Sequence, residues 1–167
     1  MKKTGTEVRS PWRTVARVLL PLALVGCIAF IFGHSMKVAD VSTGESGRVL
    51  LWLQGVLHRL GLHGAADRLT MHIVRKLAHF CEYALEGFLL LLCLWVYSSR
   101  PLRHLSVPML GGVLTAMTDE TIQLYTPGRS SQVTDVWLDS AGALAGILAA
   151  LVLLALCRWL FYHHKKE

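Results

Sequence analysis

Four long apolar runs separated by polar stretches set the pattern of the chain. The first, about residues 14–33, is broken only by Pro21 and small residues, and the second covers about 77–97 and stops at Ser98-Ser99-Arg100-Pro101. The third lies within 104–125, but it is apolar only from Leu105 to Met117, roughly 20 Å at helical rise against a hydrocarbon core near 30 Å. It crosses a bilayer only if Asp119, Glu120 and Gln123 lie partly inside. The fourth runs over about 136–161 and ends in basic and aromatic residues. Between the first two runs, residues 38–76 begin polar and turn amphipathic. Leu50, Leu51, Leu53, Leu57, Leu60 and Leu62 recur at helical spacing opposite Arg48, Gln54, His58 and Arg59, which predicts a short interfacial helix. The expectation is an all-α fold: an integral membrane four-helix bundle, one membrane domain over 1–167, with a short interfacial helix in the first extracytoplasmic loop.

Composition agrees with the bilayer. The chain is 53% hydrophobic and only 17% charged, against roughly 25% charged in soluble domains. The net charge of +6 does not point to nucleic acid, because the basic residues flank apolar runs and form no cluster interleaved with aromatics. Their placement instead follows the positive-inside rule and sets both termini in the cytoplasm. Lys2, Lys3 and Arg9 ahead of the first run resemble a signal peptide, but no small-residue cleavage site follows Phe32 and Trp12 suits the belt of a retained helix. Trp12, Trp95, Tyr97, Trp159 and Tyr162 then form an inner aromatic belt, and Trp52, Tyr125 and Trp137 an outer one. Cys27, Cys81, Cys93 and Cys157 lie in apolar stretches without metal-ligand spacing and read as buried thiols. Gly142 and Gly146 form a small-residue face for close helix packing, which also admits a homo-oligomer.

This arrangement gathers the ionisable residues of the last three spans at one depth, toward the outer face. Lys76, His79, Glu82 and Tyr83 share a helix face, as do Asp119 with Gln123 and Asp135 with Asp139. Glu120 and the loop residue Arg129 join them. An ionisable group at the membrane centre costs roughly 2.5–3.5 kcal/mol on insertion scales. One or two ion pairs are enough to lock a bundle, and this set is larger. Glu86, near mid-bilayer, must be protonated, paired or facing water. His34, His58, His63 and His72 are expected at the surface or interface.

The same residues resemble the VanZ-like proteins, a family of teicoplanin-resistance-associated membrane proteins. Lys76-Leu-Ala-His79-Phe80-Cys-Glu82-Tyr83 is similar to the family's K-x-x-H-F-x-E-Y, and Asp119-Glu120-Thr-Ile-Gln123 with Pro127-Gly128-Arg129 to D-E-x-x-Q followed by P-G-R. Asp135, Gly142 and Gly146 fit D-x-x-x-N-x-x-G-x-x-x-G, and Phe32-Gly33-His34-Ser35 resembles the start of the pattern more loosely, giving a motif region of about 31–150. Asp139 stands where the family usually has Asn, and Glu86 where it is usually apolar, so each adds a carboxylate. The resemblance implies a bacterial multi-pass protein of the inner (cytoplasmic) membrane, linked in some members to reduced susceptibility to teicoplanin-type lipoglycopeptides. It supplies no reaction.

From the residues, the leading expectation is an outward-facing intramembrane site acting on a lipid-linked or cell-envelope substrate. His79, Glu82, Asp119 and Glu120 are the catalytic candidates, with His79 and Glu82 or Glu120 as acid/base pair. Lys76, Tyr83, Gln123, Arg129, Asp135 and Asp139 are the substrate-binding candidates, Arg129 holding a phosphate or carboxylate. One histidine among carboxylates also admits a divalent metal. The other readings are a non-enzymatic binder or transporter of a head group or drug, and a structural membrane subunit.

Overall fold

A computed structural model of the chain describes residues 11–129 and 131–163. The basic Lys2, Lys3 and Arg9 and the tail from His164 lie outside them, and the side chain of Tyr162 is not described. Six α-helices follow in order: α1 Pro11–Ser35, α2 Ala39–Arg59, α3 His63–Arg68, α4 Met71–Tyr97, α5 Ser106–Leu124 and α6 Val133–His163, with a 3-10 turn at Pro101–His104 before α5. No strand occurs among the described residues. Helices α1, α4 and α6 are long and apolar enough to cross a membrane. The shorter α5, with Asp119 and Glu120 in its last turns, packs on all three and completes the four-helix bundle.

The tightest seam is α4 on α6, and small residues make it. A Cβ on Gly146 would fall on the Ala84 carbonyl, and one on Gly87 on the Ala143 carbonyl. One on Gly142 would meet the Phe80 carbonyl oxygen at 2.6 Å. Backbones can approach this closely only where side chains are absent. The glycine face is therefore used within the chain and does not present a surface for a dimer.

Pro21 sits inside α1 without ending it. A proline cannot donate to the carbonyl four residues earlier. That carbonyl, of Arg17, accepts the Tyr97 hydroxyl at 2.5 Å instead, which ties α1 to the end of α4. The Arg17 guanidinium donates in turn to the Val96 carbonyl, at 3.4 Å. Arg13, Arg17, Arg100, Arg103 and Arg158 surround a cleft at this end of the bundle. Trp12, Tyr97, Trp159, Trp52, Tyr125 and Trp137 are all exposed.

Two expectations need correction. The polar stretch after Val38 is helical, so α2 is one long helix joined to α1 only by the turn at 36–38. Ser42, Glu45, Ser46, Val49 and Leu53, at helical spacing, border one groove beside α4. The inward face of α2 starts polar because it meets the polar end of α1, and tertiary contact overrides the weak helix propensity of Ser, Thr and Gly. The cysteines are not uniformly buried either: Cys81 is exposed and Cys27, Cys93 and Cys157 are half-buried. In a membrane bundle the outward face is apolar too, so an apolar neighbourhood in sequence does not place a thiol in the core.

Candidate functional site

Opposite the arginine-rich end, α4, α5, α6 and the α5–α6 loop enclose a cavity of about 180 Å³. A water occupies roughly 30 Å³ in the liquid, so the space suits a small charged group and not a whole lipid. Of the residues expected at the site, Lys76, His79, Glu120, Gln123, Arg129, Asp135 and Asp139 line it. Arg75, Gly128 and Leu138 complete the lining.

Local chain geometry places them. Thr70 caps α4, its hydroxyl accepting from the Ile73 amide at 3.3 Å, so the helix starts early enough to carry Arg75, Lys76 and His79 in its first turns. Thr126-Pro127-Gly128-Arg129 forms a tight turn closed by the Arg129 amide on the Thr126 carbonyl at 3.1 Å. Gly128 has φ +75°, the left-handed value that the third residue of a type II turn requires. The turn aims Arg129 at the end of α1, where Nε donates to the Lys37 carbonyl at 3.2 Å and Nη2 to the His34 carbonyl at 2.9 Å. A cation on the last carbonyls of a helix complements its dipole. Arg129 is thus a cap for α1 as well as part of the cavity wall.

Lys76 Nζ pairs with Asp135 Oδ1 at 2.8 Å. Arg75 has no hydrogen bond or ion pair among the described residues, and it stands close enough to repel Arg129. Burial first, and Arg75 next, hold the Arg129 guanidinium below its ordinary range. No carboxylate pairs with either guanidinium among the described residues.

Deeper in the cavity, His79 Nδ1 lies 3.7 Å from Asp139 Oδ1 and 4.0 Å from Asp119 Oδ2. Both separations exceed hydrogen-bond length. Asp119 is held by Gln123, whose Nε2 donates to Oδ2 at 3.1 Å and to the buried Ser35 hydroxyl at 3.4 Å. Glu120 Oε2 accepts the Gln132 amide at 3.0 Å, and its Oε1 is unpartnered. Buried oxygens without a partner among the described residues also occur on Glu82, Tyr83, Glu86, Asp119 and Asp139, eight atoms in all with Glu120. Native proteins carry only a few such atoms per hundred residues. They concentrate in one part of the bundle, on α4, α5 and α6.

The expected partners of His79 change. The spacing suggested Glu82, but Glu82 turns to α1, its Oε1 3.1 Å from His34 Nδ1. Glu120 forms no ion pair with His79 among the described residues; the carboxylates that do are those of Asp139 and Asp119. Tyr83 is fully buried against Ile31, Ala116 and Ala143 and does not line the cavity, so it acts as a core residue there. His34, expected at the surface or interface, is half-buried between Glu82 and Glu45, the latter at 3.2 Å. Glu45 also accepts Lys37 Nζ at 2.7 Å. Lys37 first, and His34 next, hold the Glu45 carboxyl below the usual range. The signal for His34 and Ser35 was their place in Phe32-Gly33-His34-Ser35; Arg75 had none beyond its neighbour Lys76.

No curated protein and no solved structure is found to match the chain. The family model for VanZ/LLP1 matches residues 19–155, well over half of it and the whole of the site just described. The chain belongs to the VanZ/LLP1 family.

Proposed function

We propose that this protein takes the anionic head group of a lipid-linked or cell-envelope substrate into the cavity from the outer leaflet and acts on it there. The observation that carries the reading is Arg75 beside Arg129 on the cavity wall, with neither guanidinium in an ion pair among the described residues and Asp119, Glu120 and Glu82 acting on Arg129 only from further off. A phosphate or carboxylate would relieve that repulsion and match the planar guanidinium donors. Glu120, lining the same cavity with one oxygen that has no hydrogen-bond partner among the described residues, is the group best placed to exchange a proton with the bound molecule.

The concentration of arginines at the opposite end supports a cytoplasmic placement for that end and for both termini, by the positive-inside rule. The cavity then opens outward from the cytoplasmic membrane. Membership of the VanZ/LLP1 family supports a bearing on susceptibility to teicoplanin-type lipoglycopeptides. The test is to compare envelope lipids and muropeptides from cells with and without the gene. A covalent difference, lost in Glu120→Gln at unchanged protein level, is the expected result. Saturable head-group binding without any covalent difference would make the protein a binder. A cytoplasm-only reporter should be active after Ser99 and silent after Ser131; the reverse overturns the outward placement.

A further inference from the structure

We propose that His79 Nδ1 and the carboxylates of Asp119 and Asp139 form a binding site for a divalent cation of the Mn²⁺ or Zn²⁺ class, with an open coordination position toward the cavity.

One ligand comes from each of α4, α5 and α6, and the three donor atoms lie within 4.8 Å of one another. Ligands bound at about 2.1 Å can be no further apart than about 4.2 Å. His79 stands 3.7 Å and 4.0 Å from its two carboxylates, so a small inward shift seats an ion, whereas an ion pair sealed by hydrogen bonds would already be shorter. The second observation is Asp139. Its side chain is fully buried, neither oxygen has a hydrogen-bond partner among the described residues, and it lines the cavity. A buried carboxylate left in that state costs several kcal/mol unless a cation or proton donor meets it. Lys76 pairs with Asp135 at 2.8 Å and forms no ion pair with Asp139 among the described residues.

Gln123 donates to Asp119 from behind, the outer hydrogen bond that orients a metal-binding carboxylate. One imidazole with two carboxylates lies between the oxygen-only sets of Mg²⁺ and Ca²⁺ and the nitrogen- and sulfur-rich sets of softer metals. His79 and Asp139 border the cavity while Asp119 closes the site from below, so the remaining positions point to where an anionic group would enter. The ion needs no substrate to bind, so the site stands or falls apart from the head-group reading above.

The test uses the full chain in detergent, stripped with EDTA and titrated with MnCl₂ while electron paramagnetic resonance follows free and bound Mn²⁺. One bound ion per chain is expected, with coupling to one imidazole nitrogen and a rise in thermal midpoint as Mn²⁺ is added. Asp119→Asn and Asp139→Asn should each weaken binding by at least roughly 100-fold, because ligand charge sets affinity in such sites. His58→Ala, which breaks the exposed His58–His63 contact, should leave the titration unchanged. The proposal is overturned if the stripped wild type takes up neither Mn²⁺ nor Zn²⁺, if both aspartate variants bind as the wild type does, or if His58→Ala abolishes binding. Should neither aspartate variant fold, the wild-type spectrum decides: nitrogen coupling upholds the site and its absence overturns it.

Discussion

Two histidines face carboxylates at the same end of the bundle, and they are built differently. His34 places one ring nitrogen 3.1 Å from Glu82 and the other 3.2 Å from Glu45, and Lys37 completes the group at 2.7 Å from Glu45. His79 has its two aspartates at 3.7 Å and 4.0 Å, and both of those side chains are fully buried with oxygens unpartnered. The first cluster closes hydrogen bonds between α1, α2 and α4. The second buries two carboxylates beside one imidazole that stands beyond hydrogen-bond length from both. Charge density alone does not distinguish a structural lock from a working site; what distinguishes them here is how far each is satisfied, since among the described residues the first leaves one buried oxygen without a hydrogen bond, Glu82 Oε2, and the second leaves three, on Asp119 and Asp139.

Both clusters hang from the α4–α6 seam, so the largest effect expected is from breaking that seam. Gly146→Leu drives a side chain into the Ala84 carbonyl, where no flexible group can yield. Overpacking of this kind costs typically 1–3 kcal/mol and more against backbone. The folded fraction in detergent, followed by size-exclusion profile and thermal midpoint, should fall sharply; an unchanged profile would mean that the helices do not meet here.

His34→Ala sharpens the comparison at a smaller scale. It removes two hydrogen bonds to partly exposed glutamates, each worth roughly 1 kcal/mol net, and α2 should loosen on α1. Hydrogen exchange in α2 should rise while exchange in the α4–α6 seam stays as it was. Equal loosening of both would show that the His34 group supports the whole bundle.

The smallest effect is that of pH on the same group. Glu45 is held below its ordinary value of 4.5 by Lys37 and His34. A carboxyl depressed in the folded state contributes stability above its unfolded pKa and loses it as pH falls through the folded one. The part of the Glu45 contribution that rests on Lys37 should therefore persist above 4.5 and fade below it. Hydrogen exchange in α2 compared between wild type and Glu45→Gln checks this: the difference between them should persist at neutral pH and shrink at acid pH.

Much of this was legible in sequence. Helical spacing put Lys76 and His79 on one face, and Asp135 and Asp139 on another, and the cavity gathers both sets. The family resemblance marked His34 and Ser35 before their contacts were known. The partners of His79 were not legible, because i, i+3 spacing brings Glu82 near but does not say which neighbouring helix each side chain will turn toward. The polar start of α2 was misread for a related reason: Ser42 and Glu45 are helical through what they meet on α1, a long-range fact. Gly142 and Gly146 announced close packing, but only the fold shows that their partner is α4 of the same chain.

The most direct test of the central claim sets the two histidines side by side. Function per folded molecule, read as the gene-dependent change in envelope lipids or muropeptides and normalised to membrane protein level, is compared for His79→Ala and His34→Ala. The account predicts a loss of at least about 100-fold for His79→Ala, the scale of removing one preorganised polar group from a dry site, with His34→Ala retaining most function per molecule at a lower protein level. Full function in His79→Ala, or a selective loss in His34→Ala, would contradict it.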